Sequence, residues 1–425
     1  MIQMLLGLVI VAGMIYLMVK QRDSKTLLFG AGLFMIWLSG DFFGAFKAFS
    51  ASMKQANIFE VIVASMGFAA VVKLTGTDKH LVSVLVKILR KAGPFLIIGV
   101  ALATMVVNIS ITSAAGVTAA MGTVLIPILI ASGVPAPLAA GAILCGLYGG
   151  NLNPGHVHPT IVAELAGTSG VEFVKVAAPG LIASVVVSSS ILTMIAFYLK
   201  RKQAKQGLTD PAAVSAPDIE IIEHPNYFFA LLPLVPVLIL MFGYSGYMPY
   251  LKMPVSHAML IGSILAMACT RTSPEKVTKE FFKAVGSAFG NVFGLLICVN
   301  IFVAGLTKLG FIDALLSFMT TSPSIAKLAA VFGPFLMTLV CGSGESASIA
   351  FNTAVSVHAE DFGIDVLHMG AMTVLSGGIG RSMTVLSAAM ILASGIAKVT
   401  PFEVVRYNWI AMVGALLTAA AFLML

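Results

Sequence analysis

CGSGESASIAFN, Cys341 to Asn352, and LSGGIGRSMT, Leu375 to Thr384, are the stretches on which the reading of this chain turns. Both lie in apolar surroundings that would otherwise pass for membrane-spanning helix. Both carry what such a helix avoids: clustered Gly, several hydroxyls, an acid at Glu345 and a guanidinium at Arg381. Gly-broken backbone at membrane depth is tolerated only where protein buries it or it lines a wet cavity. A charge there costs roughly 3 kcal/mol at a helix centre and marks a functional candidate. The pair of stretches reads as half of a solute-binding site, with a related half expected earlier in the chain.

The composition fits this reading. The chain is 59% hydrophobic and 10% charged, with mean hydropathy +1.01. A water-soluble domain needs about a quarter charged residues, so the class is a polytopic all-α membrane protein. The 425 residues supply about ten spans of ~20 residues. The net charge of +7 sits in short loops between apolar runs, an orientation signal and not a nucleic-acid one. The N-terminal run lacks a basic n-region, and Lys20 and Arg22 follow it, so it reads as a first span and not as a cleaved leader. Cys145, Cys269, Cys298 and Cys341 show no disulfide or metal spacing and read as apolar fillers.

The chain divides as follows: a first span in 1–25, a first repeat in 26–198, a linker in 199–226, a connecting helix and loop in 227–254, and a second repeat in 255–425. The segment with Lys47 and Lys54 reads as a loop. The stretch from Asp78 reads as an amphipathic interfacial helix, with Leu81, Val84, Leu85 and Leu89 on one face and Lys87, Arg90 and Lys91 at its edge. From Pro94 to Ala163 there is no Asp, Glu, Lys or Arg, yet Gly, Ser, Thr, Asn and Pro are frequent. That pattern predicts a re-entrant hairpin over 96–131, tipped at Asn108 to Gly116. A broken span over 135–167 follows, interrupted at GGNLNPGHVHP, Gly149 to Pro159. In the second half a span near 284–304 and an amphipathic piece around Phe311 to Met319 lead into a hairpin over 326–358. A broken span over 366–394 comes next, interrupted at GGIGRS. The linker is polar, with a basic start and several Pro, and reads as cytoplasmic.

The halves are related. LYGG from Leu147 matches LSGG from Leu375; Glu172 and Lys175 match Glu403 and Arg406; the run from Asn57 matches the run from Asn291, all at near-constant spacing. With the linker cytoplasmic and the N-terminus periplasmic, most Lys and Arg fall inside, as the positive-inside rule requires, and the two hairpins enter from opposite sides. Inverted repeats with two broken helices meeting at mid-membrane are the architecture of secondary transporters.

At this point the chain resembles a family. The tips TSAAG and CGSGES, the GRSMTVLS run from Gly380 and SGIAKVTPFEVV from Ser394 are similar to the DcuC-type anaerobic C4-dicarboxylate transporters of the ion transporter superfamily. The resemblance covers nearly the whole chain. It implies a carrier of the succinate, fumarate and malate class in a bacterial inner membrane, a homodimer, and elevator motion of a hairpin-bearing domain. Two features depart from the family pattern: Glu345 in place of a neutral amide, and His156 with His158. Either could alter substrate or coupling ion.

Each candidate residue has a bland alternative. Arg381 suits a carboxylate, which a guanidinium grips through two parallel hydrogen bonds, or it pairs structurally with Glu345. Ser343, Gly344, Ser346 and Ser348 at the second tip, and Thr112, Ser113 and Gly116 at the first, offer hydroxyls and free amides to a carboxylate, or allow close helix packing. Asn108, Asn151, Asn153, Asn352 and Thr384 carry the same two readings. Glu345 is a proton-coupling candidate, a partner for Arg381, or an exposed group at the hairpin mouth. His156 and His158 could titrate near neutrality, or simply be wet. No nucleophile–base motif, phosphate loop or zinc spacing appears, which argues against an enzyme and against a cofactor, with H+ or Na+ as possible coupling ions. Besides C4-dicarboxylate exchange or symport, two readings stay open: another organic anion or an amino acid as cargo, and a membrane subunit that depends on a binding protein.

Overall fold

The computed structural model describes residues 2–19, 23–54, 56–89, 93–205, 222–244, 248–314 and 323–425. Parts of three expectations lie outside the described residues: most of the linker, the basic pair Arg90 and Lys91, and the piece beyond residue 314. Among the described residues there are helices and turns and no strand. Five helices are long and apolar enough to cross a bilayer, and a further set of apolar helices is shorter. Of the short ones, Leu96–Ser110, Ala136–Leu152 and Ala388–Ala397 belong to the expected hairpin and broken segments.

The first half opens with α1 (Ile2–Val19), α2 (Ser24–Leu38) and α3 (Gly44–Met53). The segment expected as a loop around Lys47 is therefore helical: Ala45 and Ser52 are buried, and the α3 face packs against the second half. Next, α4 (Ala56–Thr75) bends by 72° into α5 (Thr77–Leu89). Gly76, at φ +68°, makes that corner. Leu81, Val82, Val86 and Leu89 give α5 its buried face, while Lys87 lies outside it.

The hairpin consists of α6 (Leu96–Ser110) and α7 (Ala114–Ala131), joined by three residues. Ser113 caps α7 by accepting from the Gly116 amide at 3.2 Å. Then come α8 (Ala136–Cys145), a break holding a 3-10 turn over Gly149–Leu152, α9 (Val157–Leu165) and the long α10 (Gly170–Lys205).

After the linker come α11 (Tyr227–Leu231), α12 (Val235–Tyr244) and α13 (Val255–Thr270). The expected span near 284–304 is longer than predicted. α14 (Pro274–Ala288) continues through a π turn over Phe289–Phe293 into α15 (Gly294–Lys308). The charged start of α14 hid that continuity from hydropathy.

The second hairpin is α16 (Pro323–Cys341) and α17 (Gly344–Ala354), turned by Gly342 at φ +72°. A side chain there would also strike Leu386, whose Cβ lies 2.8 Å from the ideal Cβ position. α18 (Val366–Arg381), α19 (Ala388–Ala397) and α20 (Pro401–Leu423) complete the chain. Each half thus runs long helix, hairpin, broken helix, long helix.

One expected interruption is corrected. GGIGR does not break the span; α18 runs through it to Arg381, and the break falls at 382–387. These glycines serve proximity. Ideal Cβ positions on Gly377 and Gly380 lie 2.8 Å from Gly344 O and 2.9 Å from Phe335 O, so any larger residue would push the neighbouring helices away.

The helices pack as two bodies. α6–α10 and α16–α20 share one core, with Leu125, Leu138, Tyr148, Phe173, Met369, Met390 and Met412 fully buried. Its centre is the α10–α20 pair, where Ser184 donates to Ala415 O at 2.9 Å. α1–α4 and α12–α15 form a frame with small cores around Phe68 and Met259, which also takes in Val171 of α10, around Val71 and Ala266, and around Ile36 and Ile301. A further apolar cluster joins the bodies: Met14, Leu28, Ile62, Phe293 and Phe302 of the frame meet Val157, Ile161, Ile349 and Ala350.

Candidate substrate-binding site

Both hairpin tips, the first helix break and the end of α18 converge on one small cavity. It is lined by Asn108, Thr112, Leu147, Gly150, Asn151, His156, His158, Gly344, Val374, Gly378 and Arg381. Its free volume, ≈ 10 Å³, is about what one water needs. Anything larger than a water therefore enters only when the lining parts. The tip of the second hairpin is the tightest closure, since the ideal Cβ position of Gly344 lies 2.5 Å from Gly377 O.

Arg381 is the one charged side chain among the lining residues. As the last residue of α18, it reaches the break after α8, and its Nη2 donates to Leu147 O at 2.9 Å. A spent helix end offers unpaired carbonyls, so the guanidinium is held where the backbone is electron-rich. Next to it, Ser382 Oγ donates to Leu144 O at 2.9 Å, and Asn408 Nδ2 donates to Ser382 O at 2.8 Å. Ser387 spans the second break: it donates to Arg381 O at 2.9 Å and accepts from the Met390 amide at 3.2 Å. Among the described residues no ion pair joins Arg381 to Glu345. Glu345, half-buried beside Gly344, acts on the guanidinium through its charge.

Three helices aim their N-termini here. Thr112 immediately precedes the cap of α7, Gly344 is the first residue of α17, and His156 is the cap position of α9. Helix N-termini carry partial positive charge and free N–H groups. With Arg381 they give the cavity an anion-binding character. The histidines are buried, not wet as one reading of GHVHP allowed, and their rings lie 5.3 Å apart. Folding brings them in because α9 starts at the break, placing His158 in its first turn against the cavity.

The remaining candidates sort by what their polar atoms already hold. Asn108 ties the first hairpin to the first break: Oδ1 accepts from the Gly150 amide at 2.7 Å and Nδ2 donates to Ile111 O at 2.9 Å. Asn153, outside the cavity, donates to Ile109 O at 2.8 Å and accepts from the Gly155 amide at 2.9 Å. Ser343 caps α17, accepting from the Ser346 amide at 3.2 Å, and Ser346 Oγ lies 2.9 Å from it. Ser348 donates to Thr373 O at 3.2 Å and Thr384 to Leu339 O at 3.1 Å. The cavity lining excludes Ser343, Ser346, Ser348, Ser113, Gly116, Thr384, Asn153, Asn352 and Glu345, and includes Arg381, Gly344, Thr112, Asn151, His156 and His158.

Sequence reasoning passed over Leu147, Gly150 and Gly378. The matched LYGG and LSGG had marked them, but only as evidence of a repeat. Asn408, a lone amide in the last apolar span, was also visible and unused. Among the described residues no group of His, Cys, Asp and Glu could hold a metal ion, and the four cysteines are free thiols.

Comparison with known proteins places this geometry. An uncharacterized transporter of Haemophilus influenzae is 34% identical over 278 residues, covering 64% of this chain and 100% of that protein. The anaerobic C4-dicarboxylate transporter DcuC of Escherichia coli K12 is 24% identical over 435 residues, covering 95% of this chain and 92% of its own length. In fold, the chain is similar to the Alcanivorax borkumensis YdaH transporter, with TM-score 0.63 and 16% identity over 89% of this chain and 87% of that one. The family profile of the C4-dicarboxylate anaerobic carriers, DcuC, matches residues 37–425. A polytopic helical chain with paired hairpins closing on a buried cavity, matched over nearly its whole length, belongs to the DcuC family of membrane transporters.

Proposed function

We propose that the chain is a secondary active carrier of C4-dicarboxylates in a bacterial inner membrane, working by exchange or cation-coupled symport. The observation that carries this reading is the convergence of Arg381 with three helix N-termini on one cavity that has no acidic lining residue. A dicarboxylate brings two negative charges and only acceptor atoms, and these groups supply donors and positive potential. Family membership and the Escherichia coli relative favour the same cargo class.

The movement we propose is of the elevator type. The bundle of α6–α10 and α16–α20 carries every lining residue of the cavity, and the frame carries none. The cluster that joins them is apolar, and apolar contacts lack the directionality that would fix one register. The frame also shows exposed aromatics at Phe34, Trp37, Phe42, Phe43 and Phe46, a face we assign to a second copy in a homodimer. We propose that the linker is cytoplasmic and the N-terminus opposite, because most Lys and Arg then fall inside.

Proteoliposomes holding only this protein test the reading. Uptake of labelled C4-dicarboxylate should accelerate when unlabelled dicarboxylate is inside. Arg381→Ala should lower uptake by roughly 30-fold or more, because a bound carboxylate would then be buried without its cationic partner, and Arg381→Lys should restore it only in part. Absence of dicarboxylate uptake under any ion gradient, or full activity in Arg381→Ala, would refute the assignment.

A further inference from the structure

Three residues lining the cavity each keep one buried polar atom without a partner: Arg381 Nε, His156 Nδ1 and Asn151 Oδ1. Two of these suit a carboxylate. Arg381 Nε–H is a donor, and His156 becomes one at Nδ1 in the matching tautomer. The third does not suit it. An amide oxygen only accepts, and an ionised dicarboxylate with a bare carbon chain offers it nothing.

Rotating the amide does not remove the conflict. Asn151 Nδ2 donates to Tyr148 O at 3.2 Å, so a flipped side chain would set two acceptors against each other. The neighbouring amides at the first break are different: Asn108 Oδ1 and Asn153 Oδ1 already hold the Gly150 and Gly155 amides. Asn151 sits on the 3-10 turn of that break and is 4% exposed, so bulk solvent does not fill its oxygen. A site built to bond a substrate hydroxyl discriminates against the analogue lacking it, because its own polar atom is then left unpaired.

We infer that Asn151 reads a hydrogen-bond donor on the carbon beside a carboxylate, and that the preferred cargo is a 2-hydroxydicarboxylate over the unsubstituted acid. The inference rests on the dicarboxylate-carrier reading above. A hydroxyl is favoured over an ammonium because the single charged lining residue is a cation, which repels a second cation.

The test is competition against labelled L-malate uptake in proteoliposomes, with unlabelled L-malate, succinate, 2-methylsuccinate and L-aspartate. L-Malate should compete about tenfold better than succinate or 2-methylsuccinate, in line with one unpaired buried acceptor. The methyl compound separates bulk from hydrogen bonding. In Asn151→Ala that advantage should fall to about twofold or less. Succinate within about twofold of L-malate in the wild type overturns the inference, as does an unchanged advantage in Asn151→Ala or aspartate competing as well as malate. The wild-type series decides on its own if the variant does not fold. Labelled succinate taken up where labelled L-malate is not also overturns the inference, whereas no uptake of either label sinks the carrier reading itself.

Discussion

Gly377 shows how single residues set the geometry of the cavity. Its missing side chain lets α17 lie against α18, with the ideal Cβ position in contact with Ser348 Oγ and 2.8 Å from Gly344 O. Gly344 is also the residue through which the second hairpin reaches the cavity. Gly377→Ala should therefore lift the hairpin tip without adding charge or a polar group. We expect protein that inserts and purifies normally but transports at least about tenfold more slowly, since a misplacement of ~1 Å in a preorganised site is that costly. Wild-type uptake in Gly377→Ala would show that the close approach is dispensable. By contrast, the serines of the same tip already hold partners: Ser343 caps α17, Ser346 meets the Ser343 hydroxyl, and Ser348 donates to Thr373 O.

At the level of elements, α18 carries Arg381 at its far end and is anchored at its start by Asp365. That carboxylate caps the helix, accepting from the His368 amide at 3.0 Å, with His368 Nδ1 at 2.9 Å. Burial pushes its pKa up, but the hydrogen bonds from the His368 side chain and backbone outweigh burial and leave it below the ordinary 3.8. A carboxylate with a depressed folded pKa contributes stability that is fully present above the unfolded value. That contribution fades as pH falls through the folded value. Asp365→Asn keeps a capping oxygen and loses the charge. Its thermal stability in detergent should trail the wild type by more near pH ~7 than near pH ~3. A gap of equal size at both values would rule out the ionised carboxylate as its source. The breaks themselves follow from local chemistry: Pro154 and the 3-10 turn in the first, and the Ser387 cap in the second.

For the whole molecule, the question is whether the bundle moves against the frame. α4 of the frame meets the first break of the bundle where Ser65 faces Gly155, whose ideal Cβ position also lies 2.9 Å from Met259 Cε. In a background without native cysteines, Ser65→Cys with Gly155→Cys should form a disulfide under mild oxidation and stop uptake. Reduction should restore it. An oxidised, cross-linked protein that still transports would exclude sliding at this contact, because a disulfide holds the two Cα atoms within about 7 Å.

Much of this was legible in the sequence. Hydropathy, charge-free length, Gly and Pro placement and capping serines are local, and they act on the few residues beside them. They therefore carried the class, and they are the ground for expecting two hairpins, two broken spans and a repeat. They also singled out Arg381 and the histidines, which the fold brings to one cavity. Local signals failed where one residue type serves two ends: GGIGR reads as a break, yet it stays helical because those glycines admit neighbouring backbone. Tertiary structure alone decided which polar groups share a cavity. Arg381 meets Leu147, and Gly344 meets Gly377, through packing of segments far apart in the chain. It also decided which polar atoms remain unsatisfied there, since a hydrogen bond is spent or spared only once every neighbour is in place.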